Sequence, residues 1–199
     1  MKSNKKYKLL DLFSGTGAYS LALESLCETV AFCDKSPISH QVLQKNFPNI
    51  PIFDDITTLD AEKLYQKGIK KIDVISASFP CQDISIMNRN GKGIDGERSG
   101  LFFDIIRIAN IVDSQLIIME NSPNIKNKGI EKVISFLHKN DYDFEYDNFN
   151  ACDLGAPHKR NRFYIIAYKK GKKSHDILSS FYDEFDNVKN YWENGFHYK

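Results

Sequence analysis

The sequence predicts an α/β fold built on a mostly parallel, doubly wound sheet with helices on both faces. Short apolar runs of strand length alternate along the chain with helix-length amphipathic segments, which is the sequence form of that architecture. Ligand-type side chains also stand directly after successive apolar runs, at the carboxyl ends of strands where open sheets bind ligands. At 199 residues the chain suits one domain, since a chain of this length buries roughly 70% of its unfolded surface.

The first strand is expected over Lys8-Phe13, an apolar run that enters Ser14-Gly15-Thr16-Gly17 and then a helix over Ala18-Cys27. A strand at Thr29-Asp34 and a helix at Ile38-Phe47 follow, then a short strand at Pro51-Phe53 and a helix at Ala61-Lys67. The fourth strand is read at Ile72-Ser78 and the fifth, the most apolar, at Gln115-Glu120, with a helix over Leu101-Val112 between them. In the helix at Gly129-His138, Ile130, Val133, Ile134 and Leu137 recur at i, i+3, i+4 and i+7 and so share one face. Two further strands, Asp143-Phe149 and Arg162-Tyr168, complete the sheet. These elements place a catalytic domain over residues 1–170, leaving a tail over 171–199 that reads as a docking helix or a ragged end. The Phe79 to Gly100 connection, with Gly91, Gly93, Gly96 and Gly100, is too long for an ordinary loop and reads as a lid.

Composition narrows the class. The 42% hydrophobic and 27% charged content is that of a soluble globular protein, and the formal charge of +1 carries no global sign of a polyanion partner. Basic residues from Lys159 to Lys173 run without an Asp or Glu, a stretch suited to phosphate. Cys27, Cys33, Cys81 and Cys152 form no Cys-x-x-Cys pair and have no zinc-finger spacing to His, so neither disulfides nor a metal is expected. No signal-peptide or membrane-length apolar run is present, and a cytoplasmic location is expected.

The chemistry is expected at the strand ends. The turn through Phe13, Gly15 and Gly17 lets a ligand approach bare backbone, although such turns also serve as plain strand-helix corners. Ser20 stands where a dinucleotide fingerprint wants a third Gly or Ala, which disfavours a nicotinamide cofactor. Asp34 after the second strand suits a ribose diol, and Asp55-Ile56 after the third suits an adenine edge and face. Each acidic residue alone also fits a loop cap. The fourth strand delivers Phe79-Pro80-Cys81-Gln82, with Ser85 nearby, and a thiol in polar surroundings is a nucleophile once deprotonated. The fifth ends in Glu120-Asn121, where partial burial would let the carboxyl share a proton. Arg160 and Arg162 enter the last strand, either solvated or holding a phosphate or base carbonyl.

In this order, Asp11-Leu12-Phe13-Ser14-Gly15-Thr16-Gly17, Phe79-Pro80-Cys81-Gln82, Glu120-Asn121 and Arg160-x-Arg162 resemble the DNA cytosine-C5 methyltransferase family, from about Lys8 to Tyr168. The resemblance implies the Rossmann-like fold of S-adenosylmethionine-dependent methyltransferases, with Phe13, Gly15, Gly17, Asp34, Asp55 and Ile56 holding S-adenosylmethionine. It implies Cys81 as nucleophile, Glu120, Arg160 and Arg162 acting on cytosine, and Pro80, Gln82, Ser85 and Asn121 on the substrate side. DNA is the implied substrate, its target base flipped from the stack. His158 stands where the family usually has Gln, and Ser122 where it usually has Val. Beyond Tyr168 about thirty residues remain, too few for the family's target-recognition domain and closing segment together. The expected arrangement is therefore a catalytic subunit with a second polypeptide carrying recognition. The competing readings are a truncated or degenerate module that binds DNA or a partner without catalysis, and a tRNA cytosine methyltransferase.

Overall fold

The computed structural model describes the chain over residues 6–80 and 99–193, and the side chains there except at 99, 128 and 185–193. The expected loop residues from Cys81 onward, with Gln82 and Ser85, lie outside the described residues.

Seven strands form one sheet in the order β3-β2-β1-β4-β5-β7-β6. They are β1 (Tyr7–Leu12), β2 (Cys27–Cys33), β3 (Ile52–Phe53), β4 (Val74–Ala77), β5 (Leu116–Asn121), β6 (Tyr142–Asn150) and β7 (Asn161–Lys169). Strands β1 to β5 pair in parallel, and β7 runs antiparallel between β5 and β6. The strand order reverses direction at β1 and β4, whose carboxyl ends flank the crevice where such sheets take ligands.

The helices are α1 (Ala18–Ala22), α2 (Pro37–Asn46), α3 (Ala61–Gln66), α4 (Phe102–Ile111), α5 (Ile125–Lys128), α6 (Ile130–Lys139) and α7 (Lys172–Glu193). Strand side chains alternate between two cores. Leu10, Leu12, Ile75, Ala77, Ile117 and Met119 face the core shared with α4 and α6, whereas Leu9, Val74, Leu116 and Ile118 face Ile177 and Leu178 of α7. Buried apolar strands of this kind need cover on both faces.

Two elements differ from the sequence expectation. The first helix stops at Ala22 instead of Cys27, because β2 begins at Cys27, which pairs with Tyr7 while the Tyr7 N–H binds the Leu26 carbonyl at 2.9 Å. Sheet pairing thus claims residues whose local pattern is helical, a case of tertiary contacts overriding propensity. The segment after Gly171, expected as a docking helix or a ragged end, is a helix whose first half is packed. Ile177 and Leu178 are buried, and the Phe181 ring stacks on Tyr7 at 6.4 Å between centroids. The short α5 was not anticipated; it follows Pro123, whose carbonyl accepts from Lys126.

Candidate active site

Strand β1 ends in strained backbone. Phe13 has φ +53°, a left-handed conformation that L-residues other than Asn and Asp rarely adopt, and such strain clusters at functional sites. Gly15 (φ +54°) and Gly17 (φ +84°) continue the turn. The two glycines are needed for different reasons. Among the described residues a Cβ on Gly15 would meet nothing within 4 Å, whereas one on Gly17 would lie 2.7 Å from the Phe47 ring. Gly15 thus presents bare backbone to open space, and Gly17 lets α2 pack close beneath the turn. Ser14 secures the crossover: its hydroxyl donates to the Asp11 carbonyl at 2.5 Å and accepts from the Cys33 N–H at 3.2 Å.

Asp34 leaves β2 beside this turn. One carboxylate oxygen accepts the Gly15 N–H and the other the Ser36 N–H, both at 2.8 Å. A carboxylate oxygen has two acceptor positions, so each retains one for a ligand hydroxyl. Asp34 therefore shapes the turn as well as facing it. Asp55 caps the 3-10 turn Ile56–Thr58, accepting from the Thr57 N–H at 2.9 Å and the Thr57 hydroxyl at 2.8 Å, and it pairs with Lys35 at 3.1 Å. The Thr57 backbone N–H first, then its hydroxyl and Lys35, hold the Asp55 carboxyl below its usual range. Ile56 is buried in the core below. The Arg107 guanidinium of α4 fastens this turn from behind, donating to the Ile56 and Leu59 carbonyls at 2.6 and 2.8 Å. Open glycine backbone flanked by carboxylates fits a polyhydroxylated nucleoside that carries positive charge.

The ends of β4, β5 and β7 converge next to this turn. Strand β4 leads to buried Phe79 and half-buried Pro80. The Asn121 side-chain amide donates to the Phe79 carbonyl at 3.1 Å, and its oxygen accepts the Ser122 N–H at 2.7 Å. Asn121 is only 3% exposed, so it clamps the Phe79-Pro80 corner from within and does not line the open crevice. Glu120 lies beside it on β5. The antiparallel register sets Glu120 opposite Tyr164 and Asn121 opposite Phe163, which brings Arg162 at the head of β7 to the same edge. Arg162 Nε meets Glu120 Oε1 at 2.5 Å, with side chains 32% and 16% exposed. Arg160 is exposed two residues earlier, its backbone N–H bound to the Asn150 side chain.

The basic stretch after Ala156 does not form one face. Arg160 and Arg162 sit at the crevice end, but Lys169 pairs with Asp113 and Lys170 with Asp143 at the opposite end. A strand rises about 3.4 Å per residue, so β7 carries the two groups to different edges of the sheet.

Asp11, Ser20 and Ser76 were missed in the sequence as a group. Asp11 is 1% exposed and accepts hydrogen bonds from Ser76 at 2.8 Å and Ser20 at 3.0 Å. Burial is the main cause that lifts its pKa to about 7, against the two hydroxyls and with a smaller push from Asp34. The available signal was Ser20 itself, which appears in the sequence only as a departure from a glycine pattern.

The family model described as C-5 cytosine-specific DNA methylase matches residues 7–196. Type II methyltransferase M.HhaI of Haemophilus parahaemolyticus is 35% identical over 81% of this chain and 49% of its own length. Type II methyltransferase M2.BsuMI of Bacillus subtilis is 34% identical over 80% of this chain and 41% of its own. The chain thus spans about half the length of the curated relatives it matches. Among solved structures, a putative DNA modification methyltransferase encoded in an E. coli prophage superposes with TM-score 0.68 at 27% identity, over 83% of this chain and 47% of that one. A substituted DNMT2 from Spodoptera frugiperda gives 0.67 at 26% identity, over 83% and 51%.

Proposed function

The chain belongs to the C-5 cytosine-specific DNA methylase family, and from that membership we propose that it is the catalytic part of a DNA cytosine-C5 methyltransferase. The family uses S-adenosylmethionine, which supplies an electrophilic methyl group on a sulfonium. In this chain the Phe13–Gly17 turn, Asp34 and Asp55 would hold it, with buried Ile56 packed beneath them as support. Their fit is supported by the open space over Gly15 and the free acceptor positions of Asp34.

Cytosine C5 is too weak a nucleophile to take the methyl unaided. The Cys81 thiolate adds to C6, and Glu120 shares a proton at N3, so that the ring electrons are released toward C5 as an enamine. C5 then takes the methyl as the methyl–sulfur bond breaks, its electron pair staying on sulfur so that the sulfonium leaves as a neutral thioether; a base then removes the C5 proton and the thiolate leaves C6 to restore the aromatic ring. Arg162 keeps Glu120 oriented through their ion pair, and Arg160 supplies a second guanidinium for the base carbonyl. Because the thiolate must reach C6 from above the ring plane, the base has to leave the duplex stack, at a cost of a few kcal/mol. Reading of the flanking sequence falls to the half of the relatives' length that this sequence does not span.

The observation that carries the reading is the Glu120–Arg162 ion pair, set beside the Phe79-Pro80 corner that Asn121 clamps. Transfer of labelled methyl from S-adenosylmethionine to cytosine C5 in DNA tests it, with the chain alone and with the remaining half of a relative supplied in trans. Cys81→Ser is expected to abolish transfer while leaving cofactor affinity nearly unchanged, since a hydroxyl at neutral pH is a far weaker nucleophile than a thiolate. Sustained turnover by the serine variant, free of host methylase, would overturn the mechanism. Site-specific methylation by the chain alone at an ordinary rate would overturn the assignment of target reading to that other half.

A further inference from the structure

Asp11 joins three pieces of the site. Its backbone carbonyl holds Ser14 at the start of the glycine turn. One carboxylate oxygen takes the hydroxyl of Ser20 on α1, directly behind the turn, and the other takes that of Ser76 on β4, the strand that ends in Phe79-Pro80. All three side chains are buried. A serine hydroxyl both donates and accepts, so the clasp of two hydroxyls can close around a neutral or an ionised carboxyl, whereas the Ser20 backbone N–H only donates and favours the ionised form. What distinguishes the two states is charge.

Among the described residues no Lys, Arg or His forms an ion pair with Asp11. The titratable groups that face it are Asp34 at the end of β2, which opposes a second negative charge, and Tyr19 on α1, whose phenol is held well above its usual range by burial. Ser76 is the residue facing it from β4 and bears no charge. The empty clasp therefore favours a proton on Asp11. A cation arriving at the turn reverses that preference, because an uncompensated carboxylate in a weakly polarisable interior is strongly stabilised by nearby positive charge.

We propose that Asp11 is a positioning residue that ionises when the sulfonium cofactor binds, so that binding expels a proton and the charged clasp holds α1 and β4 in register beneath the reacting groups. The inference rests on the cofactor reading above. Protonation thereby sets how much of the protein is ready to bind. A group titrating near 7 is about one-tenth ionised at pH 6 and nine-tenths at pH 8, and apparent affinity scales with the competent fraction, giving roughly tenfold tighter binding at the higher pH.

Calorimetry on the full chain with S-adenosylmethionine, from pH 6 to 8.5 and in buffers of differing ionisation enthalpy, reads both the slope and the proton released. S-adenosylhomocysteine, which lacks the sulfonium charge, is expected to show a smaller slope. Asp11→Asn should flatten the profile and abolish proton release. Ser76→Ala removes a donor that favours the ionised form, and so should move the midpoint upward. His40→Gln, altering the ring that meets the Asp34 carbonyl at 2.5 Å, should retain the wild-type slope. A pH-independent wild-type affinity, or a wild-type slope surviving in Asp11→Asn, overturns the proposal while leaving the cofactor reading intact. If Asp11→Asn does not fold, an unmoved midpoint in Ser76→Ala overturns it. Absence of wild-type binding at every pH overturns the cofactor reading and this inference together.

Discussion

Adding one methyl group at Gly15 or at Gly17 separates the binding role of the turn from its packing role. Both glycines have left-handed backbone, which costs an L-residue roughly 1–2 kcal/mol. At Gly15 that is the whole expected cost to the fold, since among the described residues the new Cβ meets nothing within 4 Å. For a chain of this size about 1 kcal/mol lowers Tm by roughly 2–4 °C. At Gly17 the Cβ would lie 2.7 Å from a Phe47 ring carbon and 3.2 Å from a Leu43 methyl. Neither can retreat freely, because Leu43 is fully buried and Phe47 packs on Phe32 with centroids 5.0 Å apart. Overpacking of this kind adds about 1–3 kcal/mol, so Gly17→Ala should lose roughly 2–5 kcal/mol in total. Binding should rank the other way. The Gly15→Ala methyl projects into the space assigned to S-adenosylmethionine, and displacing the ligand by even a few tenths of an ångström is expected to cost tenfold or more in affinity, about 1.4 kcal/mol. Thermal unfolding gives the first ranking and calorimetry the second. A folded Gly15→Ala protein that binds the cofactor with wild-type affinity would refute the assignment of that space.

Asp34→Ala should weaken cofactor binding by more than the 1–3 kcal/mol typical of lost hydrogen bonds to a charged acceptor, because it also frees the Gly15 and Ser36 N–H groups; calorimetry alongside unfolding of the apo protein separates the two effects, and unaltered affinity would place the cofactor elsewhere. Arg162→Met leaves the largely buried Glu120 without its ion-pair partner and should destabilise the fold by about 1–3 kcal/mol, with Glu120→Gln in the same chain restoring most of the loss in a double-mutant cycle measured by urea unfolding. Because the folded pKa of Asp11 is raised above its unfolded value, to about 7, the native state binds the extra proton; its contribution to stability is complete below pH 4 and is lost as pH rises to about 7, an effect of at most about 4 kcal/mol. Tm of the apo protein should therefore fall between pH 5 and 8 more in wild type than in Asp11→Asn, and parallel curves would contradict it.

Much of this arrangement is legible along the chain. All seven strands, and the helices at Pro37–Asn46, Ala61–Gln66, Phe102–Ile111 and Ile130–Lys139, were anticipated to within a few residues, because apolar periodicity is a local property. The placing of Phe13, Gly15, Gly17, Asp34 and Glu120 at strand ends was also read directly, since a strand end is marked by where its apolar run stops. In the sequence α7 reads equally as a docking helix or a ragged end. Its buried residues, Ile177 and Leu178, are few among polar neighbours, and they have a face only once β1, β4 and β5 lie together beneath them.

Which strand end meets which depends on the packed sheet. Glu120 and Arg162 are far apart in sequence and become partners only because β7 inserts antiparallel between β5 and β6; the same insertion sends Lys169 to the other edge. In the sequence Asn121 reads as a substrate contact, but β5 turns its side chain inward to the Phe79 carbonyl. Asp11 belongs to an apolar run and carries no local mark of its state. Its proton affinity arises from the burial imposed by its surroundings and from two hydroxyls delivered by α1 and β4. Hydrophobic period and turn chemistry are written between neighbours in the chain, whereas strand register, ion pairing and the desolvation of a carboxylate are properties of groups that only the folded packing brings together.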